Sequence, residues 1–441
     1  MPVFEIVRAD MRDRVDLSRR EVLRGVALAL APALLGRGVR AAAGQAANDA
    51  GPYAPGTLPA GIRSRLVENG NGITMHVLEA GFEPRNRPLV VLLHGFPELA
   101  FSWRKVMPRL ASAGYHVIAP DLRGYGRSSG TGVKYDDDIA PFRTMNEVRD
   151  VLGLVSAFGA QSVAAVVGHD FGSPLAGWCA LARPDVFRAV VMMSGPFPGP
   201  PALPFGSADA PPPSMATGDS RERAYDDLEK LTPPRRYYQR YYATREANAN
   251  MQHAKQGVHA FLRAYYHMKS ADWKGNQPAP LASWSATELA KMPRYYVMDR
   301  GMGGMAENVA PDMPSAAEVA TCKWLTEAEL TVYSAEYGRT GFQGGLQGYR
   351  LGASGPFADA QNANELKIFS GRTIDVPSMF IGGKSDWGPY QRPGALENMQ
   401  KNLCTRMTGT HFIDGAGHWV QQEQPEAVTR LLLPFLKQAS G

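Results

Sequence analysis

Residues 161–172, QSVAAVVGHDFG, decide how the rest of this 441-residue chain is interpreted. The apolar, β-branched run at 163–167 predicts a buried strand, and small residues that suit a helix follow Gly172. A side chain held at a sharp turn between a strand and a helix needs neighbours without a Cβ atom. Glycine stands two positions before and two positions after Asp170. The stretch therefore predicts a strand, a tight turn that presents Asp170, and a helix.

An aspartate at this turn suits a different chemistry from the serine of the usual G-x-S-x-G pattern. A carboxylate can displace a leaving group from saturated carbon and form an alkyl-enzyme ester, which water activated by a separate base then hydrolyses. The alternative is that Asp170 only caps the helix that follows. A second match to the pattern, GRSSG at 126–130, has no strand before it and no apolar helix after it. Ser128 is therefore not predicted to be a nucleophile.

Strands and helices alternate on both sides of this turn. Apolar runs predict strands, and helical patterns separate several of them. The predicted strands lie at 73–78, 88–93, 115–121, 187–193, 376–383 and 408–413, and the predicted helices at 102–111, 142–158 and 425–436. This alternation predicts an α/β fold with a mostly parallel, doubly wound sheet.

The alternation of predicted strands and helices ends at a proline-rich stretch after residue 196 and resumes only near residue 376. We interpret the intervening Tyr- and Arg-rich helical patterns as an inserted, mainly helical cap domain. The predicted division is a signal peptide at 1–43, a first part of the core at 44–196, the cap at 197–368 and a second part of the core at 369–441.

The first 43 residues have the features of an export signal. Arg19 and Arg20 form a twin-arginine pattern, a short apolar run follows at 25–36, and three alanines stand at 41–43. The apolar run is too short for a stable bilayer span. We expect a periplasmic or secreted protein, and a disordered tail or short surface helix is the alternative. Whether Cys322 and Cys404 form a disulfide is left open.

Charge and motifs exclude several functions. Residues 1–43 hold 8 Arg against 5 Asp and Glu, so they carry most of the formal net charge of +5. The remainder has no basic stripe for nucleic acid. The sequence shows no metal-ligand cluster, phosphate loop or dinucleotide fingerprint, so no cofactor and no metal are predicted. The oligomeric state is not indicated.

Two further residues complete a candidate site. Asp386 and His418 each follow a predicted strand, where open α/β sheets place their sites. The order nucleophile, acid, histidine is that of an α/β-hydrolase fold. His418 would activate water, and Asp386 would orient its imidazole. The backbone N–H groups of Phe96 and Phe171 are the predicted oxyanion hole.

Residues 60–440 resemble the soluble epoxide hydrolases of the α/β-hydrolase superfamily. The motifs that carry the resemblance are HGFPE at 94–98, SWR at 102–104, GHDFG at 168–172, GFQGGLQGYR at 341–350 and GAGHWVQQEQPE at 415–426. The resemblance implies Asp170 as nucleophile, His418 as base, Asp386 as its partner and a cis peptide bond before Pro97. It also implies a small-molecule epoxide as substrate, without indicating which one, and a vicinal diol as product.

The family also uses two tyrosines of the cap to hold and protonate the epoxide oxygen. Tyr349, in GLQGYR, matches one position. Tyr238 is the better match to the other, but it lies in YYQRYY at 237–242, so Tyr241 stays an alternative. A phenol is still a proton donor at neutral pH, which suits this role.

Two competing functions use the same fold. A dehalogenase would share the aspartate nucleophile, but haloalkane dehalogenases carry Trp and fluoroacetate dehalogenases carry Arg where this chain has Phe171. A binding protein without activity would be marked by loss of the nucleophile, the base or the acid. All three are present, so hydrolysis of an epoxide is the expected function.

Overall fold

A sheet of eight strands, counted over the described residues, forms the centre of the protein. The computed structural model describes residues 51–83, 86–203, 216–352 and 359–440. The strands of this sheet are β1 (Ile62–Glu68), β2 (Thr74–Ala80), β3 (Leu89–Leu93), β4 (His116–Pro120), β5 (Ala165–His169), β6 (Val190–Met193), β9 (Ser378–Gly383) and β10 (Met407–Ile413). Their order across the sheet is β1-β2-β4-β3-β5-β6-β9-β10.

Most neighbouring strands are parallel, which confirms the predicted fold class. Only β1 with β2 and β2 with β4 pair antiparallel; the others, from β4 to β10, pair parallel. Strands β3 and β5 are buried along their whole length, as their continuous apolar sequences predict.

Helices flank this sheet and fill the long insertion between β6 and β9. They are α1 (Met107–Ser112), α2 (Thr144–Ala157), α3 (Gly172–Ala182), α4 (Ala216–Glu229), α5 (Tyr238–Tyr242), α6 (Glu246–Gln252), α7 (Gly257–Lys269), α8 (Ala286–Leu289), α9 (Met305–Val309), α10 (Ala316–Thr321), α11 (Glu327–Thr340), α12 (Gln343–Gly352), α13 (Ala360–Leu366), α14 (Ala395–Asn398), α15 (Val420–Glu423) and α16 (Pro425–Ser440). The insertion also holds a small antiparallel pair, β7 (Arg235–Tyr237) and β8 (Val297–Asp299). The insertion is therefore mainly helical, whereas the boundaries 197 and 368 stay predictions.

The structure tests two further expectations, and a third falls outside the described residues. The Phe96–Pro97 peptide bond is cis, which confirms the expectation from the resemblance. Cys179, Cys322 and Cys404 are free, which settles the open disulfide. The predicted signal peptide, 1–43, lies outside the described residues.

Two local predictions differ from the structure. The helix expected at 102–111 is divided into a 3₁₀ turn, Ala100–Trp103, and α1, because Pro108 suits only the first turn of a helix. Strand β1 was not predicted. Most of its side chains are exposed or partly exposed, so it lacks the apolar run of the central strands.

The topology brings four loops to one edge of the sheet. Phe96, Asp170, Asp386 and His418 come shortly after β3, β5, β9 and β10, respectively. These strands run parallel, so the loops after them converge. Across the described residues, no helix combines the length and apolar character that crossing a bilayer would require.

Candidate active site

The turn that carries Asp170 depends on two glycines. A Cβ atom on Gly168 would lie 1.8 Å from the carbonyl oxygen of Gly172, and one on Gly172 would lie 2.3 Å from the carbonyl oxygen of Leu93. Asp170 itself has φ +52°, in the left-handed region that few residues other than glycine adopt. Strained backbone of this kind clusters at functional sites, so the turn presents the carboxylate at a conformational cost.

The two oxygens of Asp170 have different neighbours. Oδ1 accepts a hydrogen bond of 2.8 Å from the backbone N–H of Phe96. Oδ2 lies 3.3 Å from Nε2 of His418. One oxygen is thus held by the backbone while the other faces the cavity and the histidine. The N–H of Phe171, the second predicted oxyanion donor, stays a prediction, because the structure gives it no bond to Asp170.

His418 and Asp386 meet as predicted from their places in the chain. His418 Nδ1 lies 3.1 Å from Asp386 Oδ1, and that oxygen also accepts a 2.7 Å hydrogen bond from the N–H of Gly388. His418 is 2% and Asp386 is 1% exposed, so water does not compete with this contact. The carboxylate fixes the imidazole with Nε2 directed at Asp170.

The electrostatics keep both carboxylates charged. Burial by itself would raise the pKa of Asp170, but the hydrogen bond and the charge of His418 outweigh it and hold that pKa below its usual range. Burial would likewise raise the pKa of Asp386, but the charge of His418 and its hydrogen bond hold it low. Asp170 is therefore ready as a nucleophile, and Asp386 can stabilise an imidazolium.

Two tyrosines of the inserted helices share a cavity with Asp170. Tyr238 begins α5 and Tyr349 lies in α12, and their ring centroids are 5.8 Å apart. The Tyr238 hydroxyl donates to Gln391 Oε1 at 3.0 Å, while the Tyr349 ring packs edge-on against Phe171, 4.6 Å between centroids. Burial raises the pKa of both phenols well above the usual value, so both stay protonated.

The structure separates the two candidate tyrosines of the 237–242 cluster. Tyr238 lines the cavity of Asp170, whereas Tyr241 lines a different cavity together with Arg236 and Glu246. The Tyr238 ring packs edge-on against that of Tyr349, which places it beside the other candidate tyrosine.

The cavity is lined by both apolar and polar residues. It has a volume of about 290 Å³, near the lower end for small-molecule sites. Phe171, Pro174 and Phe197 form part of the wall, and Arg221 and Arg392 are its positively charged lining residues. In the described residues, no group of three or more His, Cys, Asp or Glu is placed to hold a metal ion.

A buried ion pair between His169 and Glu98 contacts the backbone of the loop that carries His418. His169 Nδ1 lies 2.6 Å from Glu98 Oε2, and both side chains are fully buried. His169 Nε2 lies 2.7 Å from the carbonyl oxygen of His418, which can only accept, so both ring nitrogens of His169 carry protons. Burial would lower the pKa of His169, but the charge of Glu98 outweighs it and raises that pKa. The pair therefore holds the backbone of His418.

Sequence reasoning missed the role of Glu98 and of two other residues. Glu423 accepts backbone hydrogen bonds from Gly417 and Trp419, on either side of His418, at 2.9 and 3.0 Å. It also accepts one from Ala271, in the insertion, at 2.8 Å. Glu98 and Glu423 lie within the motifs HGFPE and GAGHWVQQEQPE, which was the available signal, although an isolated Glu shows no partner in sequence.

Lys269 is the other missed residue. It is 2% exposed, and its ammonium lies 5.0 Å from the ring centroid of Tyr296 and 5.2 Å from that of Trp419. Its carbonyl oxygen accepts a 2.8 Å hydrogen bond from the N–H of His418. A lysine at the end of a helix has no sequence signal for this position, because it normally points into water.

Known proteins are similar to this chain over most of its length. A family model described as the alpha/beta hydrolase fold matches residues 88–425. Epoxide hydrolase B of Mycobacterium tuberculosis (strain ATCC 25618 / H37Rv) is 35% identical over 372 residues, 84% of this chain and 97% of that protein. Epoxide hydrolase A of the same strain is 34% identical, over 84% of this chain and 96% of its own length. A solved epoxide hydrolase from an endophytic Streptomyces has a TM-score of 0.65 and 30% identity, covering 86% of this chain and 96% of its own.

Proposed function

The chain belongs to the epoxide hydrolase family of the α/β-hydrolase fold, and from this we propose that it adds water to an epoxide through an ester on Asp170. The product is a vicinal diol. The observation that carries the assignment of residues is the position of Asp170: its carboxylate lies between the Phe96 N–H and His418 Nε2, in the cavity that Tyr238 and Tyr349 line.

The first step opens the epoxide. Oδ2 of Asp170, which the backbone does not hold, attacks a ring carbon, and the bond between this carbon and the epoxide oxygen breaks. Tyr238 and Tyr349 donate hydrogen bonds to that oxygen as negative charge develops, and one of them transfers its proton. An ester between Asp170 and the substrate, with a free hydroxyl on the neighbouring carbon, is the result.

The second step releases the diol. His418 Nε2 takes a proton from a water molecule, whose oxygen attacks Cγ of Asp170. The negative charge that forms on Oδ1 is stabilised by the N–H of Phe96, with the N–H of Phe171 as the second donor. The bond between Cγ and Oδ2 breaks, so an oxygen of Asp170 leaves in the diol and takes up the remaining proton of the attacking water, whose oxygen replaces it in the carboxylate. The proton held by His418 returns to the tyrosine that was deprotonated in the first step.

Replacing the base should stop the reaction at the ester. We expect the His418→Gln protein to gain the mass of one whole epoxide, located on the peptide that contains Asp170, because alkylation proceeds without the base and hydrolysis does not. Intact-mass spectrometry after incubation with panels of epoxides and haloalkanes measures this. His411→Gln, on β10, is the matched control and should turn over without an adduct.

The same experiment separates the alternatives. A gain equal to an alkyl group without its halogen would assign a dehalogenase. A His418→Gln protein that forms no adduct with any epoxide that the native protein converts would contradict the ester mechanism.

We also propose export by the twin-arginine route, on the basis of Arg19, Arg20 and the apolar run at 25–36. Cleavage after the alanines at 41–43 should leave a mature chain in the periplasmic fraction. N-terminal sequencing of protein from that fraction measures this, and an Arg19→Lys/Arg20→Lys variant should be retained in the cytosol. A full-length native chain found only in the cytosol would contradict export.

A further inference from the structure

Two of the residues that line the cavity of Asp170 are arginines that the mechanism does not use. Arg221 lies on α4 and Arg392 follows the 3₁₀ turn Gly388–Tyr390 after β9, and both line the cavity that holds Asp170. Apart from the Asp170 carboxylate, these are the charged side chains among its described lining residues. The cavity is thus lined both by the negative nucleophile and by two positive charges.

Neither arginine has an anionic partner among the described residues. Two acidic residues of α4 pair with another arginine: Asp226 lies 3.1 Å and Glu222 3.9 Å from Arg240. Arg221 instead has its guanidinium 5.5 Å from the ring centroid of Trp284. Many arginines of the described residues form ion pairs with carboxylates, so two arginines without such a partner in one cavity mark a site for an external anion.

The positive charges of Arg221 and Arg392 disfavour one another. Burial lowers the pKa of Arg221, and the charge of Arg392 lowers it further. An anion placed between them would remove this repulsion and could accept two parallel hydrogen bonds from a guanidinium, which a carboxylate does well.

The arginines share the cavity with apolar residues and with a direct neighbour of a reacting group. Arg392 directly follows Gln391, whose side-chain oxygen accepts the hydrogen bond of Tyr238. Pro174, Pro196 and Phe197 also line this cavity. A substrate that fits this arrangement has its epoxide at one end, a hydrocarbon segment in the middle and an anion at the other end.

We propose that the enzyme prefers epoxides that carry a carboxylate, which Arg221 and Arg392 bind in the cavity; this inference rests on the epoxide hydrolase function proposed above. The contact is made equally in the bound substrate and in the transition state. Its effect therefore falls on KM more than on kcat.

The test compares two substrates that differ only in charge. Terminal epoxides with a carboxylate at the far end of an alkyl chain, in a series of chain lengths, are each paired with their methyl esters. We expect kcat/KM for the best carboxylate to exceed that of its ester by about 10-fold or more at low ionic strength. Added salt should reduce the preference, because these exposed charges are screened.

Variants assign the preference to the two arginines. In Arg221→Met/Arg392→Met, the ratio of kcat/KM values for carboxylate and ester should fall to about one. The ratio is an internal control, because partial misfolding lowers both rates alike. Arg223→Met changes an arginine two positions along α4 that is not among the described residues lining the cavity, and it should keep the preference. Arg221→Glu/Arg392→Glu should favour an epoxide that carries an ammonium group.

Each outcome decides the inference. Equal kcat/KM values for carboxylate and ester in the native enzyme, or a preference that survives in the double Met variant, would overturn it while leaving the epoxide hydrolase function intact. Failure of native enzyme to convert any epoxide, charged or neutral, together with no adduct on His418→Gln, would instead overturn the proposed function and this inference with it.

Discussion

Asp170→Asn should lose turnover by about 10⁴-fold or more while keeping its fold, because the amide has no charged oxygen to attack the epoxide. Asparagine tolerates the left-handed backbone at φ +52° better than most residues. Its oxygen can still accept the hydrogen bond of Phe96, and its amide can donate to His418. Steady-state kinetics on an epoxide that the native enzyme converts measure the loss, and circular dichroism measures the fold.

Two controls make this result decisive. His418 can direct water at the carbon of residue 170, so the intact mass must show that the amide has not been hydrolysed back to Asp170. Asp414, in the loop after β10, is an exposed aspartate that pairs with Lys384. The Asp414→Asn protein should retain native turnover. Near-native turnover by an intact Asp170→Asn protein would rule out the ester mechanism.

A Tyr238→Phe/Tyr349→Phe protein should open the epoxide about 10³-fold more slowly or worse, because each donor to a developing oxyanion typically contributes 10²–10³-fold. Phenylalanine keeps the rings that pack against Phe171 and each other, so the cavity should keep its shape. The effect should fall on ester formation. The measurement is the rate of ester accumulation when both substitutions are added to His418→Gln.

Single tyrosine variants refine this prediction. Each should lose less than the double variant, since the remaining hydroxyl still donates to the epoxide oxygen. Tyr241→Phe should behave like the native enzyme, because Tyr241 lines a different cavity. A larger loss for Tyr241→Phe than for Tyr238→Phe would reverse that assignment.

Burial holds the pKa of both cavity phenols, Tyr238 and Tyr349, well above the usual value. Ester formation should therefore not fall at alkaline pH through tyrosine ionisation.

The pattern of apolar runs predicted the central strands and the parallel sheet, because strands buried on both faces have continuous apolar sequences. Strand β1 escaped this reasoning, since five of its seven side chains are exposed and its sequence has no continuous apolar run. The prediction of one continuous helix at 102–111 was wrong, because it followed the helical pattern of the whole segment and gave too little weight to Pro108.

The sequence by itself determined the places of Asp170, Asp386 and His418. Each follows a strand, and the ends of parallel strands meet at one edge, so local patterns are sufficient to bring these residues together. The sequence alone did not show that Tyr349 lies in the cavity of Asp170, and it did not decide between Tyr238 and Tyr241. A helix can turn any of its faces to the sheet, so its position in the chain does not reveal which side chains reach the site.

Only the tertiary structure decided what surrounds that site. Glu98 and His169 are 71 positions apart, and Glu423 and Ala271 are 152 apart, yet each pair is joined by a direct hydrogen bond. The unpaired state of Arg221 and Arg392 is likewise visible only where the insertion and the loop after β9 meet. Sequence patterns report which residues are buried and which end a strand, whereas a buried charge finds its partner through the packing of distant segments.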